Sequence, residues 1–293
     1  MRRALFLGTG LAAAAAVTLP WRARAQALEE SVREAAASGP GTFGVFARTM
    51  APGPALFAVN AYDRFPCAST IKILVMTTAY YWEERRPGTL RESITFNRSD
   101  LIGGSDTMQD VPDGTRMSLR QLIVPMILVS DNTAANLLIG HFGVDAINAV
   151  GSEAGMLNTH LARQFVDYAL KIPHEPNVTT PYDMANLLYL IESGAREGTT
   201  TIVNPAHCRA MIHLMLAQQD RDKIPAALPG IAVANKDGEI DGTRDDVAIV
   251  EPFEDSPFIL SIYTKGVTDY PACLQTIHRI ARLTYDSVAG SDL

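Results

Sequence analysis

Lysine is scarce in this chain: five among 293 residues, with 25 basic groups in all against 32 acidic ones and a formal net charge of −7. So acidic a chain lacks the basic footprint that nucleic-acid binding requires, and no nucleic-acid partner is expected. Cysteine is nearly absent too. Cys67, Cys208 and Cys273 allow one disulfide and one free thiol, without saying which pair. Three buried apolar thiols are the plain alternative. The six histidines (His141, His160, His174, His207, His213, His278) form neither His-x-His nor His-Glu-x-x-His, so no metal set and no cofactor is expected. The Gly-x-Ser-x-Gly elbow of an α/β-hydrolase is missing. Gly103-Gly104 is followed by no phosphate-binding lysine, and no repeat, low-complexity tract or linker interrupts the chain.

The one apolar run stands at the start. Arg2-Arg3, the stretch Ala4 to Val17 and the small-x-small Ala23-Arg24-Ala25 read as an export signal cleaved after Ala25. The adjacent arginines fit the twin-arginine route. A spanning helix is the weaker reading, because the run is short and ends at Pro20. Residues 1–25 are therefore read as a leader, and 26–293 as an exported, periplasmic or secreted protein with no stable membrane insertion. Four arginines leave with the leader, so the mature chain is still more acidic.

Leu28, Val32 and Ala35 fall on one face of a helix that Gly39-Pro40-Gly41 stops. Residues 43–49 and 55–60 read as strands around the turn Ala51 to Pro54. Helices fill the middle, one of them beginning at Ser69. Residues 231–235, 246–251 and 258–263 read as three more strands, and Cys273 to Leu283 as a closing amphipathic helix. Thr180-Pro181-Tyr182-Asp183 gives an N-cap, a first-turn proline and a carboxylate three residues after the cap, with Gly194 as the stop. The preceding segment, 164–179, reads as a long ordered loop, which in compact domains is often functional. Strands at both ends with helices inserted between them imply an α/β fold. Its elements are one antiparallel five-stranded sheet flanked by helices (26–61 and 206–293) and an all-helical lobe (62–205).

Three short motifs carry chemistry. Ser69-Thr70-Ile71-Lys72 puts a hydroxyl and an amine on one helical face, where a desolvated lysine activates the serine as nucleophile. Chance alone supplies on the order of one Ser-x-x-Lys in a chain this long, so the motif needs company. Ser130-Asp131-Asn132 opens a helix, and capping is its plain explanation. Lys236-Asp237-Gly238 places a positive charge on a strand edge and a glycine where a substrate backbone can approach.

In this order, and with the continuation Thr133-Ala134-Ala135-Asn136-Leu137-Leu138, the trio resembles the signature of the class A β-lactamases and their penicillin-binding relatives. The resemblance spans the mature chain. It implies that Ser69 attacks the carbonyl of a β-lactam or a D-alanyl peptide, Lys72 takes its proton and Ser130 relays one to the leaving nitrogen. It also implies that Asn132 binds the side-chain amide, and that the backbone N–H groups of Ser69 and Glu239 form the oxyanion hole. Lys236 and Arg244 of Gly242-Thr243-Arg244 would hold the substrate carboxylate, with Gly238 beneath.

Two departures matter. Asp237 stands where the family has Thr or Ser, and its negative charge would repel a substrate carboxylate that Lys236 and Arg244 attract. The family's Glu-x-x-x-Asn loop is missing: matching Leu161-Ala162-Arg163 to the family's entry into that loop puts Phe165 near the glutamate position, with Asp167 the nearest carboxylate and the candidate general base. Three outcomes stay open: a β-lactamase with slow deacylation, a D,D-carboxypeptidase or other envelope acyl-hydrolase, and a penicillin-binding sensor that acylates without turnover. A monomer is expected.

Overall fold

The computed structural model describes residues 21–165, 176–197 and 202–290. Most of the leader lies outside them, and the expected cleavage point after Ala25 falls inside the first helix. That helix, α1 (Trp21–Ala37), leads into β1 (Thr42–Thr49) and β2 (Phe57–Val59). After a short β3 (Phe65–Pro66), a 3-10 turn over Ala68–Ile71 runs directly into α2 (Lys72–Arg85). Then follow β4 (Ser93–Thr95), β5 (Arg116–Ser118), α3 (Leu119–Leu128), α4 (Asn132–Phe142), α5 (Val144–Glu153) and β6 (Val178–Thr179). The chain closes with α6 (Pro181–Glu197), α7 (Pro205–Leu216), α8 (Ile224–Ala227), β7 (Val233–Ile240), β8 (Thr243–Val250), β9 (Phe258–Lys265) and α9 (Tyr270–Ala289).

The principal sheet is antiparallel, five-stranded and ordered β2-β1-β9-β8-β7. Its strands are apolar on both sides because both faces are covered. In β8, Val247 and Ile249 face one core while Ala248 and Val250 face another; in β9, Ile259 and Tyr263 alternate likewise with Phe258, Leu260 and Ile262. The first core holds the helical lobe around α2, whose residues from Lys72 to Tyr81 are all buried. It also takes Cys208, Met211, Ile212 and Met215 of α7. The second core packs α1, α8 and α9 on the other face, with Cys273, Ile277, Ile280, Ala281 and Val288 of α9 spaced along one helical side.

The five expected strands are all present. β7 extends beyond its expected end at residue 235, carrying Lys236, Asp237 and Gly238 along the sheet edge. Helix α6 opens where Thr180 caps it, accepting from the Asp183 N–H at 3.0 Å. It does not stop at Gly194 but continues to Glu197: Ile191, Gly194 and Ala195 are all buried, and packing offsets the roughly 1 kcal/mol that an interior glycine costs. The ribbons β3–β6 and β4–β5 have no counterpart in the sequence reading, being two or three residues long. Cys67, Cys208 and Cys273 are buried thiols, which is the plain alternative above.

Candidate active site

Ser69 sits in the 3-10 turn at the head of α2, half-buried, after Ala68 in the left-handed region at φ 40°. Such backbone costs on the order of 1–3 kcal/mol, and the surroundings hold it. Thr70 Oγ1 donates to the Cys67 carbonyl at 2.6 Å and lies 2.7 Å from Tyr263 Oη on β9. Three residues on, Lys72 is fully buried. Its Nζ lies 3.0 Å from Ser69 Oγ and 3.1 Å from Ser130 Oγ, and it donates to Asn132 Oδ1 at 2.7 Å and to the Ser130 carbonyl. Ser130 reaches this position in the left-handed region, φ 59°. Burial, and then the charge of Lys236, push the Lys72 ammonium well below its ordinary value; Asp131, Asp237 and Asp220 pull weakly the other way. A buried amine with its proton loosened, touching two hydroxyls, is equipped to take a proton from one and return it through the other.

The capping reading of Ser130-Asp131-Asn132 holds for Asp131, while Ser130 and Asn132 stand beside the Lys72 amine. Asp131 is the cap: it accepts from the Ala134 N–H at 2.9 Å and, through its other oxygen, from Met108 and Thr107 at 2.9 and 3.2 Å. It thereby ties α4 to the loop carrying Gly103-Gly104, which sequence reasoning set aside. Asn132 Nδ2 donates to the Gly103 carbonyl at 2.9 Å, fixing its amide with the oxygen on Lys72. A Cβ on Gly104 would stand 2.5 Å from Asn132 Nδ2, and its φ of +74° is glycine territory.

The loop after α5 supplies the second wall. Asn136 pairs with the Phe165 backbone both ways, accepting from its N–H at 2.8 Å and donating to its carbonyl at 2.9 Å. This holds the Phe165 ring 4.6 Å from Lys72 Nζ. Asn177 closes the other end of the loop, accepting from Ala162 and Arg163 at 2.8 and 3.1 Å, while its carbonyl accepts from the Cys67 N–H at 3.0 Å. Neither asparagine was singled out from sequence; an asparagine that bonds backbone across a loop has no local signature. Asp167 lies outside the described residues.

The third wall is β7. Gly238 abuts the nucleophile turn, where a Cβ would meet Ala68 Cβ at 3.0 Å and Ser69 N at 3.1 Å. As the edge strand, β7 carries backbone N–H groups without a strand partner beside Ser69. Lys236 is buried and donates to Asp237 Oδ1 at 2.7 Å. Asp237 also accepts from Gln218 Nε2 at 2.8 Å and from Lys223 at 3.3 Å. Burial alone would raise its carboxyl, but the charges of Lys236 and Lys223 hold it below its ordinary value. Lys223, missed from sequence, is itself shared among Asp222 at 2.8 Å, Glu239 at 2.7 Å and Asp237. Arg244 is committed elsewhere: it donates to the Ile240 and Thr243 carbonyls at 3.1 and 2.7 Å, and its guanidinium stacks 3.7 Å from the Tyr270 ring centroid. The expected carboxylate grip by Arg244 would require it to leave these partners.

Beside Ser69 lies an open cleft of about 530 Å3, whose lining includes Ser130, Asn132, Lys223, Asp237 and Glu239. Among the described residues no group of His, Cys, Asp and Glu side chains is arranged to hold a metal, and no helix is long and apolar enough to cross a membrane.

Comparison with known proteins agrees with this geometry. The model of the β-lactamase enzyme family matches residues 26–288. The β-lactamase CTX-M-25 of Escherichia coli is 28% identical over 269 residues, 90% of this chain and 89% of the relative. The crystal structure of the β-lactamase from Sphaerobacter thermophilus superposes with a TM-score of 0.80 at 28% identity, covering 94% of this chain and 99% of that one. The structure of PBP-A shares the fold, with a TM-score of 0.80 at 23% identity over 90% of this chain and 97% of its own. A match across nearly the whole chain, on a fold that gathers Ser69, Lys72 and Ser130 around one amine, makes this chain a member of the β-lactamase enzyme family, a serine hydrolase of the class A type.

Proposed function

We propose that this protein opens β-lactam rings through an acyl-Ser69 intermediate and clears that intermediate slowly. The observation that carries the reading is the buried Lys72 amine, 3.0 Å from Ser69 Oγ and 3.1 Å from Ser130 Oγ. Lys72 takes the Ser69 proton as Oγ bonds to the lactam carbonyl carbon, and the backbone N–H groups of Ser69 and Glu239 stabilise the oxyanion. As the carbon–nitrogen bond breaks, Ser130 gives its proton to the leaving nitrogen and regains one from Lys72. Asn132 binds the substrate's side-chain amide, and Lys236 acts on the β7 end of the cleft through Asp237, to which its amine is bonded.

Deacylation needs a base on a water, and Phe165 offers none beside Lys72. Asp167 or unassisted water completes the cycle, and the acyl-enzyme outlives that of an enzyme with a loop carboxylate. The Phe165 ring also favours a second reading, a penicillin-binding protein that acylates without turnover; the lifetime of the adduct separates the two. The acidic chain with its arginine-led leader fits export to the periplasm or medium as a monomer, and a part in β-lactam resistance.

Loss of β-lactam absorbance at saturating benzylpenicillin tests the reading. Ser69→Ala is expected to reduce hydrolysis to background. Unchanged hydrolysis in that variant would defeat every covalent version.

A further inference from the structure

The cleft next to Ser69 is lined by more anionic than cationic side chains. Asp106, Asp220, Asp222, Asp237 and Glu239 line it, five carboxylates against the two cations Arg221 and Lys223. Both cations already have partners in the protein. Lys223 already touches Asp222, Asp237 and Glu239, and Arg221 donates to the Val233 carbonyl at 3.3 Å. Lys236 lies behind Asp237, fully buried, and spends its amine on the Asp237 carboxylate and carbonyl. Arg244 is held on the turn carbonyls and Tyr270. Asp237 thus stands between the buried lysine charge and any group placed over Gly238.

A second observation is independent of these charges. Gln218, only 1% exposed, bonds Asp237 through Nε2, and its Oε1 is buried without a partner among the described residues. Gln218 itself is not among the residues that line the cleft, so it acts there through Asp237, whose carboxylate it helps to hold in place. Burial, and then the Asp237 charge, already push the Asp220 carboxyl above its ordinary value, so the cleft is crowded with negative charge before any substrate arrives.

We propose that Asp237 is a specificity-determining residue that makes this site prefer acyl substrates carrying a carboxamide or ammonium group, rather than a carboxylate, beside the leaving nitrogen. The donors of such a group would bond Asp237 and Glu239, whereas a carboxylate would meet their like charges, and like-charge juxtaposition costs several kcal/mol. The inference rests on the acyl-Ser69 reading above and names the substrate class that reading leaves open.

The test compares benzylpenicillin with the same molecule bearing a carboxamide in place of its carboxylate. Rates of adduct formation on the full mature protein are followed by intact-mass measurement. We expect the carboxamide to acylate Ser69 faster, and the ratio of the two rates to fall by about tenfold or more in Asp237→Asn, a near-isosteric change that removes the charge. The same fall is expected in Asp237→Thr. A wild-type rate for the carboxylate equal to or above that of the carboxamide overturns the inference while leaving the acyl-enzyme reading intact. A preference for the carboxamide that survives both substitutions overturns the assignment to Asp237. No adduct from either compound overturns the acyl-enzyme reading and this inference together.

Discussion

At 4.6 Å from the Lys72 amine, the Phe165 ring presents polarisable surface and no proton acceptor. A water beside the acyl-enzyme therefore lacks a base on that wall. Phe165→Glu should shorten the adduct lifetime by about 100-fold, the low end of what a positioned general base contributes. An unchanged lifetime, read by intact mass after removal of free β-lactam, would mean that the base sits elsewhere. The other residue-scale expectation concerns Lys72. Because burial and Lys236 lower it, the rate of acylation should retain its full value far below the ordinary lysine value of 10.5 and fall only on the acid side, where Lys72 takes up its proton. Lys236→Ala removes a like charge, so Lys72 should hold its proton more tightly and the acid limb should move to higher pH. A limb that stays in place would show that Lys236 does not act on Lys72. At this scale the sequence was informative where a motif names a role. Ser69 and Lys72 lie within reach of each other as their spacing suggested, and Ser130 and Asn132 stand beside the same amine, where the resemblance put them. Lys223, Asn136 and Gln218 were illegible, because each acts through a partner brought close only by the fold.

At the scale of elements, the site depends on two close approaches of backbone. The Gly103-Gly104 loop presses on Asn132, and β7 presses on the Ser69 turn at Gly238. Gly104→Ala adds a Cβ 2.5 Å from Asn132 Nδ2 at φ +74°, which should displace the Asn132 amide and its contact with Lys72. We expect acylation to slow with a loss of stability of about 1–2 kcal/mol, the cost of a side chain in the left-handed region. Full activity and an unchanged melting temperature would contradict that. Element boundaries explain what sequence reading could not supply. Local rules placed the start of α6, because Thr180 and Pro181 act within one turn. They misplaced its end, because burial of Ile191 and Ala195 overrides the tendency of Gly194 to stop a helix. β7 was cut short for a similar reason: the polar run Lys236-Asp237 looks like a strand end, yet both side chains are buried in a charge network.

For the whole molecule, the sheet carries acidic groups in its interior, and these couple stability to pH. Asp246 on β8 is fully buried, accepts from Asn235 and the Ile224 N–H, and faces Lys223 and Asp237. Burial raises its carboxyl to about 7 from an ordinary 3.8. Between those values the folded protein holds a proton that the unfolded chain has lost, so this group's contribution to stability is full at low pH and is lost as pH rises towards 7. Asp246→Asn should flatten that part of the curve of melting temperature against pH; an unaltered slope would remove Asp246 as its source. The alternation of apolar residues and the order of strands and helices made the sheet and the helical lobe legible, since both follow from which faces must be buried. The charge balance of the cleft was not legible, because it sums residues far apart in the chain. The most direct measurement of the central claim is intact-protein mass over time in saturating benzylpenicillin. We expect a penicilloyl adduct on Ser69 that forms, persists long enough to be the dominant species and clears slowly as product accumulates. Product accumulating with no adduct detectable at any time, or a protein whose mass never changes and which yields no product, would contradict it.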